Sequence, residues 1–153
     1  MNVVNHISLS ELQLRIKSAV EESLALPVWV VAEIPEEPIL VKGDNDMITQ
    51  VIYNLLENAA KFARPGSDLY LSVAPMDGKA RVTVQNLGET IPAEELPLLF
   101  ERFHKSDKSR SEDKDGVGLG LYIVKTILEQ HREKINVTSE DGVTTFSFAL
   151  AAE

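Results

Sequence analysis

Two alternating segments, "LYLSVAP" at 69–75 and "ARVTVQN" at 80–86, flank the dipeptide Asp77–Gly78. A period of two marks strands with one buried face, and Asp-Gly is a strong signal for the tight turn of a hairpin. An antiparallel pair of this kind needs something to cover its apolar side, and helices are at hand in the rest of the chain. Residues 8–24 read as an amphipathic helix, with Ser8 and Glu11 in capping-box spacing and Leu12, Ile16 and Val20 recurring every four. "PVWVVAEI" (27–34) and "PILV" (38–41) read as short strands around "PEEP". Asp44 caps a second helix that runs to about Arg64 and stops at Pro65–Gly66. A short helix is expected near 93–101, a third long one after Gly116, and closing strands near 134–139 and 143–150. The order predicts an α+β fold, a two-layer sandwich. Its sheet is mixed, mostly antiparallel and of about five strands, with three main helices on one face.

The 153 residues fit a single domain over 1–153, large enough to bury a core. A 44% hydrophobic and 25% charged share is that of an ordinary soluble globular chain. No stretch approaches the roughly 18 apolar residues that span a membrane, so direct membrane contact is not expected. Cysteine is absent, which excludes disulfides and thiolate metal sites and fits a cytoplasmic location. The net charge of −9 argues against nucleic acid as a partner.

The second helix carries the first chemical signal. Ile48, Ile52, Leu55, Ala59 and Phe62 form one apolar stripe, while Asn54, Asn58 and Lys61 fall within roughly 60° of each other along its flank. Such amides either line the margin between core and solvent or face a ligand. In the second case amide oxygens suit a hard cation such as Mg²⁺, and the ammonium suits phosphate. "GVGLGL" (116–121) leads into the third helix, and glycines spaced by two let bare N–H groups approach a phosphate at a helix N-terminus. A flexible hinge has the same composition. The run is neither a Walker loop, lacking Gly-Lys-Ser/Thr, nor the dinucleotide fingerprint, since a polar run precedes it. "NLGETIP" (86–92) is by itself a strand-ending turn. Residues 104–115, "HKSDKSRSEDKD", hold no hydrophobic side chain, and a loop this long reads as a lid over 104–116 hinged between "LLFERF" and the glycines.

In this order the elements resemble the ATP-binding catalytic domain of bacterial sensor histidine kinases, in the group that includes gyrase, Hsp90 and MutL ATPases. "QVIYNLLENAAKF" is similar to the family's N box, "NLGETIP" to its G1 box, "LFERF" to its F box and "GVGLGL" to its G2 box. "VTSEDGVTTFSFAL" is similar to its closing hairpin, so the resemblance covers about residues 8–150. It implies a Bergerat-type ATP-binding fold with ATP and Mg²⁺ as cofactors. Asn58 is then the Mg²⁺ ligand, Lys61 meets the phosphates and Asn54 lies beside the γ-phosphate. Asn86 takes the place of the adenine-recognising aspartate, Thr144 completes that contact through water, and Gly88 approaches the base. Phe62 and Ile91 join the nucleotide-binding set. His104 and Lys105 begin the lid, and Gly116, Val117, Gly118, Leu119, Gly120 and Leu121 present the G2 backbone to the triphosphate. Glu57 is the nearest ionisable neighbour and a candidate acid–base helper.

Two departures from the family pattern stand out. Asn86 replaces the usual Asp and Thr90 a second Gly in the G1 box, and His104 and Lys105 replace a Tyr and an Arg. At the Asn54 position gyrase-like members carry a glutamate that activates water. An amide takes no proton near neutral pH, which favours a kinase over a hydrolase. None of His6, His104 and His131 has the context of a phosphoacceptor histidine. The expected function is therefore donation of the γ-phosphoryl of Mg·ATP to a histidine on the dimerisation domain of a larger sensor kinase, of which this is the catalytic part. The parent is a candidate for inner-membrane anchoring, and a response regulator is the downstream partner. The alternatives are an anti-sigma-factor type serine kinase and a non-catalytic nucleotide-binding module.

Overall fold

The computed structural model describes residues 5–23, 29–102 and 119–152. Its elements follow in the order β1 (Asn5–Ser8), α1 (Leu9–Ser23), β2 (Trp29–Glu33), β3 (Leu40–Gly43), α2 (Asn45–Phe62), β4 (Asp68–Met76) and β5 (Lys79–Leu87). A 3-10 turn (Leu96–Phe100), α3 (Gly120–Gln130), β6 (Asn136–Glu140) and β7 (Val143–Ala151) complete it. Five strands form one mixed sheet in the order β2-β4-β5-β7-β6, with β2 and β4 parallel and the other pairs antiparallel. Asp77 and Gly78 take φ of 49° and 77°, and Asp141 and Gly142 take 49° and 78°. Each pair makes the two-positive-φ turn whose twist suits a two-residue hairpin.

The strand periodicity decides where the core lies. Leu69, Leu71 and Val73 of β4, Ala80, Val82 and Val84 of β5, and Phe146, Phe148 and Leu150 of β7 are all buried. Each set shares one face of its strand. Against that face pack Ile48, Val51, Ile52, Leu55, Leu56 and Ala59 of α2, Val124, Ile127 and Leu128 of α3, and Leu9, Leu12 and Ile16 of α1. The helix stripe and the two-layer sandwich expected from the sequence are both present.

Asp44 caps α2, its side chain accepting from the Met47 N–H at 2.9 Å. The same residue's N–H donates to Nε2 of His131 at 3.1 Å, and His131 Nδ1 lies 2.8 Å from the Ile127 carbonyl. The two bonds agree if the ring proton sits on Nδ1. His131 therefore ties the end of α3 to the start of α2, so the two helices run antiparallel and the start of α3 lies beside the middle of α2.

Three readings of the sequence change. β1 was not expected; it pairs with β3 as a two-stranded ribbon outside the main sheet. Ser8 is its last paired residue, opposite Leu40, and the Ser8 hydroxyl is buried with no hydrogen-bond partner among the described residues, so the capping box does not form. The expected helix near 93–101 is a five-residue 3-10 turn with a proline in its first turn.

Gln13 is fully buried on α1, and among the described residues neither its Nε2 nor its Oε1 has a partner. Leaving such groups unpaired costs roughly 1–3 kcal/mol. Gln13→Met keeps the side-chain length and removes the unpaired amide. It should raise the urea midpoint with the slope unchanged. A lower midpoint would mean that the amide is satisfied in solution.

Candidate functional site

The inward row of β5 runs Ala80, Val82, Val84 and ends on Asn86; that of β7 runs Leu150, Phe148, Phe146 and ends on Thr144. Asn86 and Thr144 face each other across the two strands and are 3% and 4% exposed. Two polar side chains thus close two apolar rows at one end of the sheet, where a cavity of 280 Å³ opens beneath α2. Its walls are apolar: Phe62 of α2, Ile91 and Pro92 of the loop after β5, Leu99, Leu121 of α3 and Phe146. Phe100 packs edge-on against Phe146, with ring centroids 6.1 Å apart. Asn58, Glu89, Thr90 and Glu95 add polar groups to the lining. No side-chain hydrogen bond among the described residues is spent on the Asn86 amide, so its donor and acceptor are available to whatever fills the space.

The loop after β5 is held at both ends. A Cβ on Gly88 would overlap the Phe62 carbonyl oxygen, so the end of β5 touches the last turn of α2 at a distance only glycine permits. The Arg64 N–H donates to the Leu87 carbonyl at 2.7 Å across the same junction. On the other side, the Gly88 N–H donates to the Gly142 carbonyl at 2.8 Å, and the Gly142 N–H donates to Thr90 Oγ1 at 2.7 Å. Thr90, which stands where a glycine is usual, therefore straps the loop to the β6–β7 turn. The Ile91 N–H donates to Ser139 Oγ at 2.8 Å, and Ser139 Oγ lies 2.8 Å from Thr144 Oγ1.

A second region adjoins the cavity along the seam of α2 and α3. Asn54 Nδ2 donates to the Gly120 carbonyl at 3.3 Å, which sets the start of α3 beside the amide flank of α2. Among the described residues no side chain caps that start, and the position before it is Leu119. The orphan N–H groups of a helix N-terminus suit an anion there. Asn58 and Leu121 belong both to this seam and to the cavity lining. Lys61 is exposed one turn further along α2, and Glu57 is half-buried outside the cavity lining. Arg102 Nη2 donates to the Tyr122 hydroxyl at 3.0 Å, and its guanidinium carbon lies 4.8 Å from the centre of that ring. The hydrogen bond from Arg102, and then its charge, lowers the Tyr122 hydroxyl below the ordinary phenol range.

Six residues expected at a nucleotide site, Asn58, Phe62, Asn86, Ile91, Leu121 and Thr144, thus line one cavity. Gly88 borders it, and Asn54 meets Gly120. His104, Lys105, Gly116, Val117 and Gly118, and with them the expected lid, lie outside the described residues. Sequence reasoning passed over Ser139, Phe146, Leu99, Pro92, Glu89 and Glu95. Phe146 and Ser139 had a signal, since each shares strand parity with a core row. The others sit in irregular backbone with no period to follow. Among the described residues, no three His, Asp or Glu side chains gather as a metal cluster, and no helix is long and apolar enough to cross a membrane.

Comparison with known proteins agrees with this geometry. Residues 43–153 match the family described as histidine kinase-, DNA gyrase B- and HSP90-like ATPase. The probable sensor kinase SilS of Salmonella typhimurium is 38% identical over 113 residues, which make up 74% of this chain and 23% of SilS. The chain spans about a quarter of the length of the curated relatives it matches. Among solved structures, the mycobacterial sensor histidine kinase MprB superposes with a TM-score of 0.85 at 26% identity, over 99% of both chains. Histidine kinase ThkA, solved in complex with the response regulator protein TrrA, superposes with a TM-score of 0.81 at 26% identity, over 98% of this chain and 42% of that one. The relatives and solved structures named here are histidine kinases, and the chain belongs to the histidine kinase-, DNA gyrase B- and HSP90-like ATPase family.

Proposed function

We propose that the cavity takes the base of ATP and that the chain donates the γ-phosphoryl to a histidine on the dimerisation domain of a sensor kinase. The observation that carries this reading is Asn86, a buried amide with no side-chain hydrogen bond among the described residues, in the lining of a cavity that it shares with Leu121 at the start of α3. A flat heterocycle fits between Phe62, Ile91 and Leu121, with its polar edge on Asn86 and Thr144. At 280 Å³ the space suits the base and not the whole nucleotide. The phosphates then extend along the α2–α3 seam, past Asn58 and Asn54, toward the α3 N–H groups and Lys61.

Asn58 has the chemistry to hold Mg²⁺. Its side chain makes no hydrogen bond among the described residues, and one amide oxygen suits a cation that keeps waters and phosphate oxygens as its other ligands. Bound there, the ion would neutralise charge on the phosphate oxygens. Asn54 is no proton acceptor and spends its Nδ2 on the Gly120 carbonyl, so it orients and does not activate water. That supports transfer to a protein nucleophile over hydrolysis, with Glu57 in reserve as an acid–base helper. The ThkA–TrrA complex supports a response regulator as the partner that next receives the phosphoryl group. ATP as substrate places the domain in the cytoplasm.

Calorimetry with non-hydrolysable ATP and GTP analogues tests the base assignment. An aspartate only accepts hydrogen bonds, whereas the Asn86 amide accepts at one end and donates at the other. It accepts from adenine N6, and turned over it donates to guanine O6. An unpaired partner is what costs roughly 1–3 kcal/mol, so Asn86 should weaken the preference for ATP and Asn86→Asp should strengthen it about tenfold. Binding of neither analogue would contradict the nucleotide reading, and an unchanged ratio would remove Asn86 from base recognition.

A further inference from the structure

An amide that can turn over leaves the base only partly specified, yet the groups behind it are not free to turn. Ser139 is 8% exposed and is absent from the cavity lining. Its Oγ accepts from the Ile91 N–H at 2.8 Å, and the backbone fixes the direction of that bond. The remaining contact of the hydroxyl is Thr144 Oγ1, at 2.8 Å. Either oxygen can donate in that contact, but the two arrangements are not equal. If Thr144 donates, the buried Ser139 hydrogen is left with no acceptor among the described residues, an unpaired polar group of the kind interiors avoid. If Ser139 donates, the Ile91 and Ser139 hydrogens are both used, and the Thr144 hydrogen is left for the cavity that Thr144 lines.

Resting on the adenine reading above, we propose that Ser139 is a specificity-determining positioning residue. It orients a one-way relay, Ile91 N–H to Ser139 to Thr144, that presents Thr144 to the base as a hydrogen-bond donor. A donor at this point suits adenine, whose N1 accepts. It opposes guanine, whose N1 carries a hydrogen. Asn86 lies directly across from Thr144 and adapts to either base, so the hydroxyl relay holds the selectivity that the Asn86 amide gives up. The relay also explains why the Ile91 loop and the β6–β7 hairpin meet through side-chain oxygens as well as through backbone.

The test compares dissociation constants for non-hydrolysable ATP and GTP analogues in the wild type, Ser139→Ala, Ser139→Cys and Ser139→Thr. Loss of the relay lets Thr144 accept as readily as donate, so Ser139→Ala should reduce the ATP-to-GTP preference about tenfold. Most of that change should come from tighter GTP binding. Ser139→Cys preserves the shape with a weak donor and should show the same loss, while Ser139→Thr restores the hydroxyl and the preference. In the ligand-free protein, amide hydrogen exchange should speed up at Ile91 in Ser139→Ala and stay unchanged at Gly142, which Thr90 holds. Equal weakening of both nucleotides, or an unchanged ratio with Ile91 exposed, would overturn the relay and leave the adenine reading standing. A wild type that binds neither analogue would defeat the adenine reading and the relay with it.

Discussion

Asn58→Ala is expected to lower phosphoryl transfer by roughly 100-fold or more, while the ligand-free protein melts close to the wild type. The two halves of this result have separate causes. Asn58 is half-buried on α2, its side chain makes no hydrogen bond among the described residues, and alanine is the better helix former, so the fold loses little. The function loses an oxygen ligand from a cation that takes few from the protein and demands near-octahedral geometry. Titration of an ATP analogue with and without Mg²⁺ separates the two. In the wild type Mg²⁺ should tighten binding, and in Asn58→Ala that gain should vanish while metal-free binding stays within a few-fold. Wild-type transfer by the variant would show that Asn58 is not the metal's ligand.

Among the described glycines, Gly88→Ala should be the most damaging added methyl group. The added Cβ would overlap the Phe62 carbonyl oxygen, a backbone atom at the end of α2 that no rotamer change can move aside. Relief requires β5 and α2 to separate at the junction where the Arg64 N–H meets the Leu87 carbonyl. Overpacking of this kind costs roughly 1–3 kcal/mol. It would also shift Phe62 and Asn86, both in the cavity lining, relative to each other, so nucleotide binding should weaken by about 100-fold or more. Gly120→Ala is the control for stability. A Cβ there meets nothing within 4 Å, in a helical position where alanine is favoured by roughly 0.5–1 kcal/mol. A rise or no change in melting temperature for Gly120→Ala, with a clear fall for Gly88→Ala, would trace the cost to the close approach. Equal melting of Gly88→Ala and the wild type would contradict the packing described for this junction.

The parts of the fold that could be read from the sequence are those whose patterns repeat. The α2 stripe, the Asp44 cap and both Asp-Gly hairpins follow from local rules that tertiary structure did not override. β1 escaped because "NHIS" is four residues with no alternation, and its pairing with β3 is a long-range choice. The Ser8 cap failed for the same reason, since the ribbon dictates the orientation of that residue. At the site, Asn86 and Thr144 were legible only through the resemblance to the family; by itself "NLGETIP" reads as a strand-ending turn. Thr90 was visible as a departure from the family pattern, but not as the acceptor for the Gly142 N–H, because that bond depends on where a distant hairpin turn lands. Ser139 was missed for a similar reason: its partners, Ile91 and Thr144, come from different elements.

If this chain is a phosphoryl donor whose acceptor is a histidine on another domain, label from ATP must end on that domain. The most direct measurement incubates it with Mg²⁺ and γ-labelled ATP, alone and with a histidine-bearing dimerisation domain. The label is then followed through acid and alkali. No stable label is expected on this chain, and an acid-labile, alkali-stable phosphate is expected on the acceptor domain. That label should be lost when Asn58→Ala replaces the wild type. Stable label on the isolated chain, acid-stable phosphate on a serine, or release of inorganic phosphate with no transfer would contradict it.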